Sequence, residues 1–186
     1  IPLPKSIDIL IFWIGFGIDG VFTVTIVLMW AEVSGPEVAM LVGAFILAIR
    51  RISEMVLGPL SGQISDRFGN ALPLTVMLVL CAAGFFLIGV GVLLLGCFLL
   101  VFCRGALGTL FPAAASKLYP EQRIFSLTRN QTWRDIGAAA GPFLTGLLLG
   151  SFNAGAIHLG TLACFLIGLG WFFLSGDCRR LLAAGK

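Results

Sequence analysis

Charged residues are scarce in this chain of 186 amino acids: aspartate, glutamate, lysine and arginine together make up only 11% of it. A soluble globular domain carries about 25% charged residues, so this sequence cannot build a water-exposed surface. Hydrophobic residues, by contrast, make up 59% of the chain, and the mean hydropathy is +1.05. The composition therefore predicts an integral membrane protein with no soluble domain.

Patterns typical of metal binding and catalysis are also missing. The one histidine, His158, is expected at the outer membrane interface, and the five cysteines lie in or beside apolar segments with no C-x-x-C spacing. This spacing favours neither a metal site nor a disulfide framework. No Ser–His or paired-aspartate pattern indicates a catalytic centre within the membrane. We therefore expect no enzymatic activity, no cofactor and no bound metal.

The apolar sequence is interrupted by short turn segments that contain glycine, proline, asparagine and serine. Because about 20 apolar residues cross a bilayer, we expect residues 1–186 to form a single domain of six transmembrane helices. Helices are favoured over strands because each backbone polar group must be hydrogen-bonded inside lipid. The expected spans are residues 7–31, 38–65, 72–90, 92–117, 121–150 and 156–174.

Basic residues near the ends of these spans all fall on one side of the predicted membrane. The loops on the other side, at 32–37, 89–91 and 151–155, carry no lysine or arginine. By the positive-inside rule both termini are cytoplasmic, and we expect the plasma (inner) membrane. The formal net charge of +3 follows from this asymmetry and requires no nucleic-acid partner. The basic residues are Lys5, Arg67, Lys117, Arg123, Arg179, Arg180 and Lys186.

Seven ionisable residues lie near the middle of the predicted spans. A charge at the bilayer centre costs roughly 2.5–3.5 kcal/mol, so such residues are kept where they pair, face water or touch a substrate. They occur on the first, second, fourth and fifth spans. This spacing predicts a 3+3 inverted repeat with those four helices around a polar pathway. The seven residues are Asp19, Arg50, Arg51, Glu54, Arg104, Arg134 and Asp135.

These charges have two open interpretations, a transport pathway or ion pairs that hold helices together. Glu54 follows Arg50 by four residues and Arg51 by three, so it can pair with either arginine on a helix. We expect structural ion pairs above all for Arg51 and Arg134. An arginine without a partner could hold an anionic or hydrogen-bonding group of a substrate. The residues expected to line a substrate and proton pathway are Asp19, Arg50, Glu54, Arg104 and Asp135.

Three motifs resemble signatures of the major facilitator superfamily. Residues 62–70 read G-Q-I-S-D-R-F-G-N and are similar to G-x-x-x-D-R-x-G-R-[KR], with asparagine and alanine where the family has two basic residues. Residues 104–108 fit R-x-x-x-G, and residues 137–146 resemble g-x-x-x-G-P-x-x-G-G, whose proline can bend a helix. The residues expected in packing and gating are Gly58, Gly62, Asp66, Arg67, Gly69, Gly108, Gly137, Gly141, Pro142 and Gly146.

The resemblance implies an all-helical solute carrier that works by alternating access. Complete members have twelve helices in two halves, so the chain is expected to be one half. The degenerate first motif favours the carboxy-terminal half, which we expect, whereas the glycine–proline motif is more typical of the amino-terminal half. We expect proton coupling through Asp19, Glu54 or Asp135, and transport in the direction of efflux. The expected partners are a small-molecule substrate, the lipid bilayer, and the missing half or a second copy. The alternative is a non-transporting or channel-like six-span protein that acts as a homodimer.

Overall fold

The computed structural model describes residues 3–183, which fold into helices joined by short turns. A single turn of 3-10 helix, Pro120–Gln122, precedes the fifth long helix. In chain order the helices are α1 (Ser6–Ser34), α2 (Pro36–Phe68), α3 (Ala71–Gly89), α4 (Leu93–Leu118), α5 (Arg123–Leu148), α6 (Ala154–Leu174) and the short α7 (Asp177–Ala183).

The turns between helices have direct causes in the sequence. Gly35 and Gly69 have φ values of 84° and 78°, a backbone region that glycine enters without steric cost. They end α1 and α2, and Pro36 then begins α2 at a position where its missing N–H is not needed. The side chain of Asn153 caps α6 by accepting a hydrogen bond of 2.7 Å from the backbone N–H of Ala156. Short turns of this kind place consecutive helices side by side.

Four helices among residues 3–183 are long and apolar enough to cross a membrane: α1, α3, α4 and α6. Helix α2 has 33 residues and α5 has 26. At 1.5 Å per residue they are about 50 and 39 Å long, which exceeds a hydrocarbon core of about 30 Å. These two helices also carry five of the seven charges that the sequence places near mid-span. Helices α2 and α5 are therefore long enough to cross a membrane, although they are more polar than α1, α3, α4 and α6.

The helices differ in the kind of residue they bury. The main hydrophobic core takes large side chains from α1, α3, α4 and α6, among them Ile18, Phe85, Phe111 and Phe165. Helices α2 and α5 instead bury small or polar residues such as Gly58, Ser61 and Gly141. Small residues allow helix backbones to approach closely within a membrane. Helices α2 and α5 therefore flank the core and pack tightly on α4 and α1 respectively.

The middle of α1 is wound as a π-helix over Gly15–Phe22, and it lies directly on α5. A Cβ atom built on Gly20 would lie 2.6 Å from the Cα atom of Gly141, and one built on Gly141 would lie 2.5 Å from the carbonyl oxygen of Phe16. No larger residue fits either position without moving a backbone. We call these contacts, together with that of Gly137 on Phe12, the glycine seam.

Candidate functional site

Four charged side chains from three helices meet near the middle of the fold, and we call them the central ionic cluster: Asp19, Arg50, Glu54 and Arg104. The π-helical part of α1 supplies Asp19. Its Oδ1 atom accepts a hydrogen bond of 2.9 Å from Nε of Arg104 on α4, and a second one from Nη2 of Arg50 on α2. Nε of Arg50 also donates to Oε1 of Glu54 at 3.3 Å. One aspartate oxygen thus joins α1, α2 and α4.

The members of this cluster balance in charge but differ in exposure. The side chains of Asp19, Arg50 and Arg104 are only 10–11% exposed, while Glu54 is 25% exposed. The neighbouring Arg51 points outward, and its Nη1 donates to Oε2 of Glu54 at 3.0 Å. Glu54 therefore pairs with both arginines, as its spacing predicted. The two arginines and two carboxylates of the cluster balance, and the exposed Arg51 adds a third positive charge beside them.

The R-x-x-x-G motif has a packing explanation in α4. A Cβ atom on Gly108 would lie 3.2 Å from Nη1 of Arg104, so glycine one turn later gives the guanidinium room beside its own helix. A Cβ atom on Gly105 would lie 2.6 Å from the hydroxyl oxygen of Ser53, which shows how closely α4 approaches α2 there. On α2, Gly58 and Gly62 both face Thr109 of α4. These glycines bring Arg50 and Arg104 to the same carboxylate.

The two charges predicted on α5 lie outside the central ionic cluster. Arg134 donates to its neighbour Asp135 through Nη2 at 2.7 Å and Nε at 3.1 Å. Asp135 is 60% exposed and lines an open groove on α5 together with Thr128 and Thr132. Arg134 lines a narrow slot of about 10 Å³ between α1, α4 and α5, which Arg104 also lines. The structure therefore brings Arg134 near the cluster and leaves Asp135 on the surface.

The remaining motif residues divide into packed and open positions. Asp66 and Arg67 are exposed at the end of α2, and Gly146 has no atom within 4 Å of a Cβ built on it. Asn70, where the family pattern has a basic residue, is fully buried. It accepts from the Ser65 hydroxyl at 2.7 Å and donates to the carbonyl of Leu110 at 3.1 Å. This asparagine ties α2 to α4 in a place where a basic side chain would be enclosed.

The predicted interfacial position of His158 is wrong. His158 is fully buried between α1 and α6, beside the ring of Phe85. The Thr25 hydroxyl donates its hydrogen to the carbonyl of Val21 at 2.8 Å, so its oxygen must accept from Nε2–H of His158, also at 2.8 Å. The imidazole therefore carries its hydrogen on Nε2. The prediction failed because α6 packs its first turns on α1 rather than facing lipid.

A second group of buried charges was not predicted, and we call it the end cluster: Asp8, Arg129 and Asn130. It joins the first turn of α1 to α5. Oδ2 of Asp8 accepts from Nε of Arg129 at 2.5 Å and from the backbone N–H of Lys5 at 2.9 Å, while Oδ1 accepts from Nδ2 of Asn130 at 3.3 Å. The side chain of Asp8 is 0% exposed and that of Arg129 is 5% exposed.

Aromatic and polar side chains enclose the end cluster. The guanidinium carbon of Arg129 lies 5.1 Å from the ring centre of Tyr119 and 5.8 Å from that of Phe125, both cation–π contacts. Burial and the nearby charge of Asp177 raise the pKa of Tyr119, so its hydroxyl stays protonated at neutral pH. Charges near the ends of spans are common in membrane proteins and rarely indicate a buried pair. The one signal for this pair in the sequence was that Asp8 and Arg129 both lie inside predicted spans.

Comparison with known proteins agrees with the motifs and with the helical fold. The family model described as Major Facilitator Superfamily matches residues 9–181, nearly the whole chain. No curated protein and no solved structure matches the chain. The match covers α2 to α6 completely, α1 except its first three residues, and both ionic clusters apart from Asp8. Together with its apolar helices, this match shows that the chain is an integral membrane protein and belongs to the Major Facilitator Superfamily, a family of transporters.

Proposed function

We propose that this protein moves a small solute by alternating access, as a proton-coupled secondary active transporter in which the proton and the solute are bound together and move in the same direction. The observation that carries the proposal is the sharing of one Asp19 oxygen by Arg50 and Arg104. A carboxylate held in this way links the protonation of one residue to contacts among three helices. The substrate is a small molecule that binds beside this group.

Proton binding to Asp19 is the proposed coupling step. A proton on the carboxylate removes its negative charge, so the attraction to both guanidinium groups falls and α1 is released from α2 and α4. The freed arginines can then bind an anionic or hydrogen-bonding group of the solute. Return of the proton to water restores the pair and displaces the solute. Glu54, which stays bonded to Arg50 and Arg51, keeps part of the local charge matched during this cycle.

The packing supports six membrane spans arranged as a 3+3 inverted repeat. Helix α2 packs on α4 and α5 packs on α1, while α3 packs on α4 and α6 packs on α1. If α1, α2 and α3 are exchanged with α4, α5 and α6, the α2–α4 pair becomes the α5–α1 pair. The α3–α4 pair likewise becomes the α6–α1 pair. Because α1 and α4 run in opposite directions, the exchange also inverts the topology. This is the pattern of many secondary transporters, whose substrate sites lie near the bilayer midplane.

In the proposed assembly the six helices form one half of a twelve-helix transporter, the carboxy-terminal half. The partner is the other six-helix half or, in the alternative, a second copy of the chain. The basic residues at the helix ends support cytoplasmic termini in the plasma (inner) membrane. The exposed Asp66 and Arg67 at the end of α2 lie on the cytoplasmic side in this orientation.

A proton-flux assay tests the proposal. The full-length protein is reconstituted in liposomes that contain the pH dye pyranine, and a panel of sugars, amino acids, organic anions and organic cations is added under an imposed pH gradient. Wild type should move protons with at least one solute class. Asp19→Asn should abolish proton movement but retain exchange of labelled solute, because asparagine resembles the protonated carboxyl group and cannot release a proton. Glu37→Gln, which neutralises an exposed carboxylate at the start of α2, is the matched control.

Four results would contradict all or part of the proposal. Solute movement that does not respond to a proton gradient in wild type would exclude proton coupling. Ion conductance that does not saturate, or no movement of any solute class with a folded protein, would favour the channel-like or non-transporting homodimer instead. Equal proton flux in the Asp19→Asn and Glu37→Gln variants would exclude Asp19 as the coupling site.

A further inference from the structure

A polar groove runs along one face of α5 beside Pro112 of α4. Its volume is about 450 Å³, within the range of sites that hold small molecules. From its first polar residue to its last, α5 rises about 10 Å, which is long enough for a small solute. Four polar side chains of α5 line the groove at spacings of three or four residues, which place them on one helix face: Thr128, Gln131, Thr132 and Asp135.

The position of the groove indicates that it faces water rather than lipid. Asp135 is the thirteenth of the 26 residues of α5, and its side chain is 60% exposed. A charged side chain in the middle of a span is costly in lipid, and such residues almost always face the bundle interior or a water-filled cavity. The narrow slot that Arg104 lines adjoins the groove, because Pro112 and Gln131 line both spaces. The groove therefore leads toward the central ionic cluster.

The charges along the groove already match each other. Both hydrogen bonds from Arg134 to Asp135 end on Oδ1 of the carboxylate. The amide of Gln131, oriented so that its oxygen faces Arg134, accepts from Nη1 of that side chain at 2.7 Å. One positive charge thus meets one negative charge on the same helix. A charged solute would bring an unmatched charge into the groove, whereas a neutral solute would not.

The groove offers both hydrogen-bond acceptors and hydrogen-bond donors to a solute. The hydroxyl groups of Thr128 and Thr132 donate to carbonyl oxygens one turn earlier in α5, so their oxygens can accept. Oδ2 of Asp135 can also accept, since Arg134 bonds only Oδ1. The amide nitrogen of Gln131 supplies two N–H donors. Because a hydroxyl group both donates and accepts, a neutral solute with several hydroxyl groups fits this set.

We propose that this groove binds a neutral polyol through the four polar side chains that line it: Thr128, Gln131, Thr132 and Asp135. This inference rests on the proposed transport function and names the substrate class. The adjoining slot, of about 10 Å³, has room for about one water molecule, which can carry a hydrogen bond from Arg104 to the solute. A proton on Asp19 frees Arg104 for this bond, so proton and polyol are bound together.

Protection of a cysteine placed in the groove tests the inference. The full-length protein with Thr128→Cys is reconstituted in lipid nanodiscs and labelled with a charged maleimide that does not enter lipid, and mass spectrometry of the peptide gives the rate. The neutral polyols glucose, sorbitol and myo-inositol are compared with the charged sugars glucosamine and glucuronate. At least one neutral polyol should slow labelling saturably, at a concentration at least tenfold lower than either charged sugar requires.

Matched variants of the Thr128→Cys protein test which side chains hold the solute. Gln131→Leu and Thr132→Val keep the approximate shape of each side chain but remove its hydrogen-bonding groups, so each should weaken protection about tenfold. Gln63→Leu, at an exposed position on α2 outside the groove, should have no effect. An equal labelling rate without solute shows that the variants are folded alike.

The inference is overturned if no neutral polyol protects the cysteine, if a charged sugar protects it equally well, or if Gln63→Leu weakens protection as much as Gln131→Leu. A cysteine that the maleimide never modifies would show that protein covers the groove, which also overturns the inference. Absence of protection with proton-coupled transport of another solute intact would leave the proposed function standing. Saturable protection in a protein that moves no solute would support the site and contradict the proposed function.

Discussion

The central ionic cluster and the end cluster use the same kinds of side chain but match their charges differently. In the end cluster both oxygens of Asp8 have partners, and the group is sealed by Tyr119 and Phe125. In the central cluster two arginines share a single oxygen of Asp19, and each of these side chains keeps about a tenth of its surface exposed. An enclosed pair whose carboxylate is bonded through both oxygens fixes two helices, whereas a shared, partly open carboxylate can change partners.

The largest expected effect comes from breaking the end cluster. Arg129→Ala would leave Asp8 as a buried charge without its partner, which costs about 3–5 kcal/mol. SDS unfolding of the purified protein in mixed micelles measures this loss. Replacing both charges, with Asp8→Asn and Arg129→Gln, should recover much of the stability because no uncompensated charge remains. Arg123→Ala, at an exposed site in the first turn of α5, is the control. A loss below 1 kcal/mol for Arg129→Ala would contradict the structural role.

The central cluster should respond less in stability and more in function. Asp19→Asn turns two charge-assisted hydrogen bonds from Arg50 and Arg104, worth about 1.5–3 kcal/mol each, into weaker bonds to a neutral amide oxygen, so only part of that energy is lost. The same unfolding measurement should therefore show a smaller loss than for Arg129→Ala. If Asp19→Asn were the more destabilising change, the contrast between a fixed and a changeable cluster would be wrong.

The smallest effect is expected at the outer edge of the central cluster. The Arg51 side chain is 78% exposed and bonds Glu54 at 3.0 Å. Exposed pairs of this kind contribute about 0.2–1 kcal/mol, so Arg51→Ala should lower stability only slightly. Raising the salt concentration should reduce the difference further because the pair is screened. A loss equal to that of Asp19→Asn would show that Arg51 belongs to the buried network.

Interactions within one helix were accessible from the sequence, and interactions between helices were mostly not. The pairing of Glu54 with Arg50 and Arg51 follows from residue spacing alone. Spacing also placed Asp19, Arg50 and Arg104 at similar depth, but the sharing of one oxygen depends on how three helices are rotated. Helix rotation is set by close glycine contacts such as that of Gly20 on Gly141, which no periodic pattern reveals.

The residues that the sequence-based predictions misplaced or missed are also explained by contacts between helices. His158 was expected at the interface because it lies near a predicted span end, yet Thr25 offers it a buried acceptor on α1. Asp8 and Arg129 were overlooked since charges near span ends usually face water, whereas here both side chains are buried and the rings of Tyr119 and Phe125 lie on Arg129. Asn70 replaces a basic residue of the family pattern because its side chain is enclosed between α2 and α4.

The π-helical segment of α1 has a consequence for how its sequence can change. In a π-helix the hydrogen bond spans five residues instead of four, so Gly15–Phe22 holds more residues per turn than the flanking α-helical parts. The part of α1 before the π-helix packs on α5 and α6, and the part after it packs mainly on α2. The wider turns of the π-helix accommodate the different rotations that these two sets of contacts require of α1. A one-residue deletion there would leave α1 long enough to span the bilayer, but it would turn Asp19 away from both arginines.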